Sequence, residues 1–69
     1  MNYGQLIRRL HQLGCEFYRQ AAGSHEIWWR PETGQRTAVT NHGSKDIPKG
    51  TLRAIAEDLG LTLEELLYE

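Results

Sequence analysis

Two turn signals divide the middle of the chain into three short strands. Gly23-Ser24 and the run Pro31-Glu32-Thr33-Gly34 both contain the residue types that reverse a backbone. Around them, residues 15–21, 25–30 and 36–40 alternate with the period of two that is typical of strands. Strands joined by such short turns run antiparallel. The sequence therefore predicts a three-stranded antiparallel meander.

A helix is predicted before the meander. Asn2 and Gln5 have the spacing of a capping box, and Gly14 is placed to end the helix that they begin. Arg8, Arg9 and His11 lie away from the apolar stripe and are expected on a solvated face. The apolar stripe consists of Tyr3, Leu6, Ile7, Leu10 and Leu13.

Two further helices are predicted after the meander. Asp46 is expected to cap the first of them, with Pro48 in its opening turn and Gly60 at its end. Thr62 and Glu65 again have capping-box spacing and predict a short final helix. The apolar positions of these two helices are Leu52, Ile55, Ala56, Leu59, Leu63, Leu66 and Leu67.

This order of elements predicts an α+β fold with the helices packed on one face of the sheet. We expect Ile27 and Val39 to point into the core between the sheet and the helices. Alternation along the strands then places Tyr18, Trp28 and Arg30 on the face of the sheet away from the helices. Exposed aromatic side chains beside arginine suit stacking on RNA bases, but they suit a protein partner at least as well.

Length and composition indicate one globular domain over residues 1–69. The chain is 39% hydrophobic and 25% charged, as ordinary folded domains are. It contains no apolar run of the roughly 20 residues that span a bilayer, and no signal-peptide core, so a cytoplasmic protein without membrane contact is expected. The single cysteine, Cys15, excludes an internal disulfide and a cysteine zinc cluster and is expected to be buried.

The charge is distributed unevenly along the chain. Residues 1–53 contain all eight bases and four acids, a net charge of +4, whereas residues 54–69 contain five acids and no base, a net charge of −5. A domain that is positive over most of its length can hold a polyanion. The alternative is that these charges only solvate the surface.

His25 is the most prominent candidate for chemistry. It is the first residue of the second predicted strand and directly follows a turn, where a polar side chain is both held and accessible. An imidazole can serve as either a base or an acid in catalysis. A metal site built from His11, His25 and His42 would match no compact ligand motif, so neither a metal nor another cofactor is expected.

Three separated motifs together resemble one protein family. They are Gly23-Ser24-His25 after a short strand, His42-Gly43 in a loop, and the run Lys49-Gly50-Thr51-Leu52-Arg53 opening a helix. In this order and spacing they resemble the HicA toxins, also known as YcfA-like ribonucleases. The resemblance extends from Leu6 to Leu66, and three agreeing motifs are far more specific than one.

The resemblance implies a fold similar to a double-stranded RNA-binding domain (dsRBD-like), with the element order predicted above. It also implies an endoribonuclease toxin, an mRNA interferase that arrests translation and is neutralised by a HicB-family antitoxin in a type II toxin–antitoxin system. The family's catalytic histidine corresponds to His25. The chain departs from the usual family pattern at Ala22, where a basic residue is common, and at Thr40-Asn41, where a proline is common.

The residues around His25 can be assigned roles in cleaving RNA without metal. Cleavage needs a base for the 2′-hydroxyl proton, an acid for the departing 5′-oxygen and positive charge around the phosphorus. His25 is the predicted acid–base residue, and His42 is its acid partner, a phosphate contact or a structural loop residue. The predicted RNA-binding residues are Ser24, His42, Lys45, Lys49 and Arg53.

Two other functions are compatible with the same sequence. A non-catalytic RNA-binding module of this fold would recognise duplex shape and leave RNA intact. A protein-interaction domain would use Tyr18 and Trp28 and would not bind RNA.

Overall fold

The computed structural model describes residues 1–68, which form a helix, a three-stranded antiparallel sheet of order β1-β2-β3 and two further helices. The predicted α+β class and element order are confirmed. The boundaries of two strands differ from those predicted. The first strand is one residue shorter at each end than predicted, and the third strand begins one residue earlier. The elements are α1 (Tyr3–Gln12), β1 (Glu16–Gln20), β2 (His25–Arg30), β3 (Gln35–Thr40), α2 (Lys49–Asp58) and α3 (Leu63–Leu67).

Both predicted capping boxes are present. The Asn2 side chain accepts a hydrogen bond from the backbone N–H of Gln5, and the Gln5 side chain accepts one from Asn2, each at 2.9 Å. Thr62 and Glu65 form the same reciprocal pair at the start of α3, at 2.9 and 3.0 Å. These pairs satisfy backbone donors that a helix start leaves free, and they set where both helices begin.

The predicted cap of α2 is wrong. Pro48, with φ −56° and ψ 144°, precedes the first helical residue, and no side chain caps the helix. Asp46 instead lies 3.5 Å from the N-terminal amine. The physical reason is that proline disfavours helical geometry at the preceding residue, Ile47, so the helix cannot extend back to Asp46. Ile47 is buried, and its N–H donates to the carbonyl of Met1 at 2.8 Å.

The assignment of the two sheet faces is partly wrong. Val39 is buried as predicted, but Trp28, predicted to be outward, is only 3% exposed, whereas Ile27 is half-buried on the other face. The register explains this result, because Val39 pairs with Glu26, and paired residues share a face. Trp28 lies two residues beyond Glu26 and so faces the helices. Tyr18 is exposed, as predicted.

Trp28 can be buried because its indole N–H has an acceptor. One carboxylate oxygen of Glu26, Oε1, accepts hydrogen bonds from Trp28 Nε1 at 2.9 Å and from the Tyr3 hydroxyl at 2.6 Å. The network joins α1 to β2. His11 and Phe17 pack against the indole, with ring centroids at 5.2 and 6.0 Å.

Two arginines predicted to be solvated or outward connect elements instead. Arg9 donates from Nε to the carbonyl of Glu65 at 2.9 Å and from a terminal nitrogen to the carbonyl of Tyr68, so α1 holds the end of α3. Arg30 lies on the helix side of the sheet and donates to the carbonyl of Leu59 at 3.1 Å. Both use guanidinium groups to satisfy carbonyls at helix ends.

Cys15 is buried directly before β1, and burial raises the pKa of its thiol while nearby Arg30 opposes that shift. The remaining core comes from Leu6 and Leu10 of α1 and from the buried faces of α2 and α3. Among residues 1–68, no helix has the length and apolar character needed to cross a membrane.

Tyr3→Phe should lower the free energy of unfolding by about 1 kcal/mol near neutral pH, because the Glu26 carboxylate loses a donor. Burial, together with the bond to Glu26, raises the pKa of Tyr3 to about 12 from its usual 10. Between pH 10 and 12 the phenol is thus protonated in the folded protein and ionised in the unfolded chain, so the Tyr3 contribution should be lost as pH rises.

Urea unfolding at stepped pH measures this difference. The difference in free energy of unfolding between wild type and Tyr3→Phe should be constant below pH 10 and shrink towards pH 12. The control is Tyr18→Phe, which removes a hydroxyl from a side chain that is 40% exposed. A gap that does not change with pH would contradict the role of the Tyr3–Glu26 bond.

Candidate functional site

The backbone of His25 is held firmly while its side chain is exposed. The His25 carbonyl accepts hydrogen bonds from the N–H of Ala21 at 2.9 Å and from the Gln20 side chain at 2.8 Å, and its N–H donates to Ala22 at 3.2 Å. Gly23 adopts a φ of +63°, which lets the chain reverse here. An exposed imidazole therefore projects from a rigid strand start.

The imidazole of His25 has a partner that the sequence interpretation did not name. Nδ1 of His25 lies 2.9 Å from the hydroxyl of Thr40, its cross-strand partner in β3. A hydroxyl can donate or accept, so this contact is compatible with either neutral tautomer. In both cases Nε2 is the nitrogen left for a substrate, as a base in one tautomer and an acid in the other.

A signal in the sequence could have identified Thr40. Residues 31–34 form the predicted turn, and closing it pairs Arg30 with Gln35. Counting outward from that pair in an antiparallel ladder places His25 opposite Thr40. The turn length alone therefore determines which residue faces the histidine.

The loop that carries His42 joins the same end of the sheet. Ser24, which is exposed, accepts a hydrogen bond through its carbonyl from the N–H of Asn41 at 3.2 Å. The Asn41 side chain accepts from Gly43 at 2.9 Å, which shapes the loop just after β3. We refer to Ser24, His25, Thr40 and Asn41 as the His25 corner.

His42 lies beside the His25 corner and lines a groove between β3 and α2. The groove has a volume of about 290 Å³, and Thr40 and Thr51 also line it. Thr40 thus contacts His25 and borders the groove that contains His42. The structure brings the two predicted histidines to one end of the sheet through Thr40.

The predicted cationic residues do not all lie at this end. Lys45 is exposed in the His42 loop, and its N–H donates to the His42 carbonyl at 3.4 Å. Lys49 is exposed in the first turn of α2. Arg53 instead lines a separate hollow beside residues 61–64 and Glu57, whereas Thr51 forms the groove side of α2. Arg53 therefore faces away from the groove.

A protein-interaction surface built on Trp28 is excluded by its burial. The indole is covered by the helices and bonded to Glu26, so it is not available to a partner. Within residues 1–68, no three His, Cys, Asp or Glu side chains are grouped so that they could hold a metal ion.

The chain matches a known protein family. The family model described as the HicA toxin of bacterial toxin–antitoxin matches residues 3–61. The matched range includes α1, the sheet, the His42 loop and all of α2. Searches among curated proteins and among solved structures found no match.

Thr40→Val should release the imidazole of His25 without changing side-chain shape. The hydroxyl is removed, so Nδ1 loses its partner and the tautomer ratio of the ring should shift towards that of a solvated imidazole. Nitrogen–proton NMR correlations of the imidazole measure the tautomer ratio. Thr40→Ser should retain the wild-type spectrum, and Thr33→Val, a change in the distant turn, is the matched control. An unchanged ratio in folded Thr40→Val would show that Thr40 does not position His25.

Proposed function

Since the chain belongs to the HicA toxin family of bacterial toxin–antitoxin systems, we propose that it is an endoribonuclease that cleaves mRNA through His25. The family supports the toxin role and an antitoxin partner; we further propose a HicB-type antitoxin and a cytoplasmic location. The observation that supports catalysis most directly is the exposed imidazole whose Nδ1 is bonded to Thr40, which leaves Nε2 accessible.

In the proposed reaction, Nε2 of His25 removes the proton from a ribose 2′-hydroxyl. The 2′-oxygen then attacks the adjacent phosphorus and the bond to the 5′-oxygen breaks. The products are a 2′,3′-cyclic phosphate and a 5′-hydroxyl, whose proton comes from water. Thr40 positions the imidazole during this transfer, and general-base catalysis of this kind contributes about 100-fold or more.

The negative charge of the transition state needs cationic and donor groups near His25. Ser24 belongs to the His25 corner, and His42 and Lys45 lie in the adjoining loop. We propose that these three contact the RNA next to the cleaved bond and that Lys49 contacts a neighbouring phosphate. Arg53 faces another hollow, so its contact would be with RNA further from the cleavage point.

The test is RNA cleavage by purified wild type and His25→Ala with a chelator present. Wild type should cut a long single-stranded RNA and leave cyclic phosphate or 3′-phosphate ends. His25→Ala should be at least about 100-fold slower, because the general base is missing. Circular dichroism should show that the variant is folded, since the His25 side chain is exposed.

A matched control is His11→Gln, which removes an imidazole from α1 and should cleave at the wild-type rate. Wild-type cleavage by folded His25→Ala would contradict the assignment of the catalytic residue. RNA that stays intact with every variant, while binding in a salt-dependent manner, would instead support the non-catalytic RNA-binding module.

A further inference from the structure

The face of the sheet opposite the helices has no covering element in residues 1–68. We call it the open face; it contains Tyr18, Arg19, His25, Ile27, Trp29 and Arg36. Register defines it, because His25 pairs with Thr40, Ile27 with Ala38, and Trp29 with Arg36, all on the side away from Trp28. The helices bury only the Trp28 side. The open face is thus free to bind a ligand.

One end of the open face holds two aromatic rings and a guanidinium group in contact. The rings of Tyr18 and Trp29 are 4.9 Å apart between centroids and tilted by 57°. The Arg36 guanidinium lies over the Tyr18 ring, 4.4 Å from its centroid. Tyr18 reaches this position because the β1 register shifts between Phe17 and Arg19 and leaves Tyr18 without a partner in β2. We call these three residues the stacking cluster.

The chemistry of the stacking cluster suits an unpaired nucleobase. Bases stack on aromatic rings and on arginine planes whatever their sequence, because every base has a π-face. Arg36 is already stacked on Tyr18, so little side-chain freedom is lost when a base binds. A base held within a duplex cannot present its face to such a surface.

Two arginines of the open face are suited to contact the RNA backbone. Arg19 and Arg36 line a hollow of about 340 Å³ with Ile27 and Ala38. The hollow continues past β3 to the helix side, where the Asp58 carboxylate accepts a hydrogen bond from Thr37 at 2.9 Å. The strands place one acid on this face, Glu16, which pairs with Trp29. They place two arginines there, Arg19 and Arg36, so the strands contribute more positive than negative charge.

The open face also contains His25. His25, Ile27 and Trp29 alternate along β2. Trp29 lies four positions after His25, which is about 13 Å along a strand. A short stretch of single-stranded nucleic acid can span that distance. A stacked base at Trp29 and a phosphate at His25 could therefore belong to one RNA strand.

We propose that the open face binds single-stranded RNA, with a base on the stacking cluster and the backbone passing Arg19 and Arg36 to His25. This inference rests on the proposed function for the identity of the ligand. It adds the surface that holds the unpaired strand and the residues that position it. Aromatic and arginine side chains also occur at protein interfaces. We favour RNA because His25 lies on the same face and because the strands place two arginines there against one acid, which suits a polyanion.

The test measures RNA binding in the His25→Ala background, where the ligand stays intact. A labelled, unstructured single-stranded RNA is titrated by fluorescence anisotropy. Tyr18→Leu should weaken binding about tenfold, the size of effect expected from losing one stacked base. Arg36→Gln should weaken binding and also reduce its salt dependence, since a phosphate contact is lost.

Phe17→Leu is the matched control. Phe17 adjoins Tyr18 in β1, is 47% exposed and lies on the helix side, where it contacts Trp28. Its replacement should leave RNA affinity unchanged. Affinity for the same sequence annealed into a duplex should not change in Tyr18→Leu, because paired bases cannot reach the stacking cluster.

Three results would overturn the inference. The first is unchanged single-strand affinity in both Tyr18→Leu and Arg36→Gln. The second is an equal loss for duplex RNA. The third is lost antitoxin binding with RNA affinity intact, which would assign the open face to the protein partner.

The proposed function can fail separately from this inference. If wild type does not cleave RNA but Tyr18→Leu weakens single-strand binding tenfold, the open face binds RNA and the catalytic proposal is wrong. If Tyr18→Leu cleaves with the wild-type KM, catalysis stands and the stacking cluster does not position the substrate.

Discussion

The structure depends on the burial of a single tryptophan indole that has a charged acceptor. Trp28 contributes the largest side chain of the core, and its N–H is satisfied by Glu26, which also receives the Tyr3 hydroxyl. Without that carboxylate, burying the indole would leave an unpaired donor at a cost of about 1–3 kcal/mol. The bond lies on the face of β2 that meets the helices, and His25, next to Glu26, faces the other way.

This orientation separates core packing from the proposed chemistry within one strand. Residues of β2 that face α1 and α2 hold the fold together, whereas the alternate residues are free of core packing. Helix packing therefore does not constrain His25 directly. The ring is constrained instead by Thr40 across the ladder, and the surrounding backbone by the turn before it.

The sequence was sufficient to predict the element order, both capping boxes and the position of His25 at a strand start. It did not predict the sheet faces, because Ile27, Trp28 and Trp29 put apolar residues on both faces of β2. Only the cross-strand register shows which face meets the helices. It misplaced the start of α2, because Asp46 precedes a proline that prevents helix at Ile47. Arg53 matched a sequence motif but lies on a different side of α2 from the groove, which helical spacing alone did not reveal.

The tight turn at residues 31–34 has a consequence for how such chains can vary in length. Its closing pair, Arg30 and Gln35, sets the ladder that ends at His25 and Thr40, at the far end of the hairpin. An insertion or deletion of one residue there would place a neighbour of Thr40 beside the imidazole and reverse the faces of β3 relative to β2. The His42 loop follows the ladder and is free of that constraint. Length variation among related chains should therefore be tolerated after β3 and selected against in the hairpin turn.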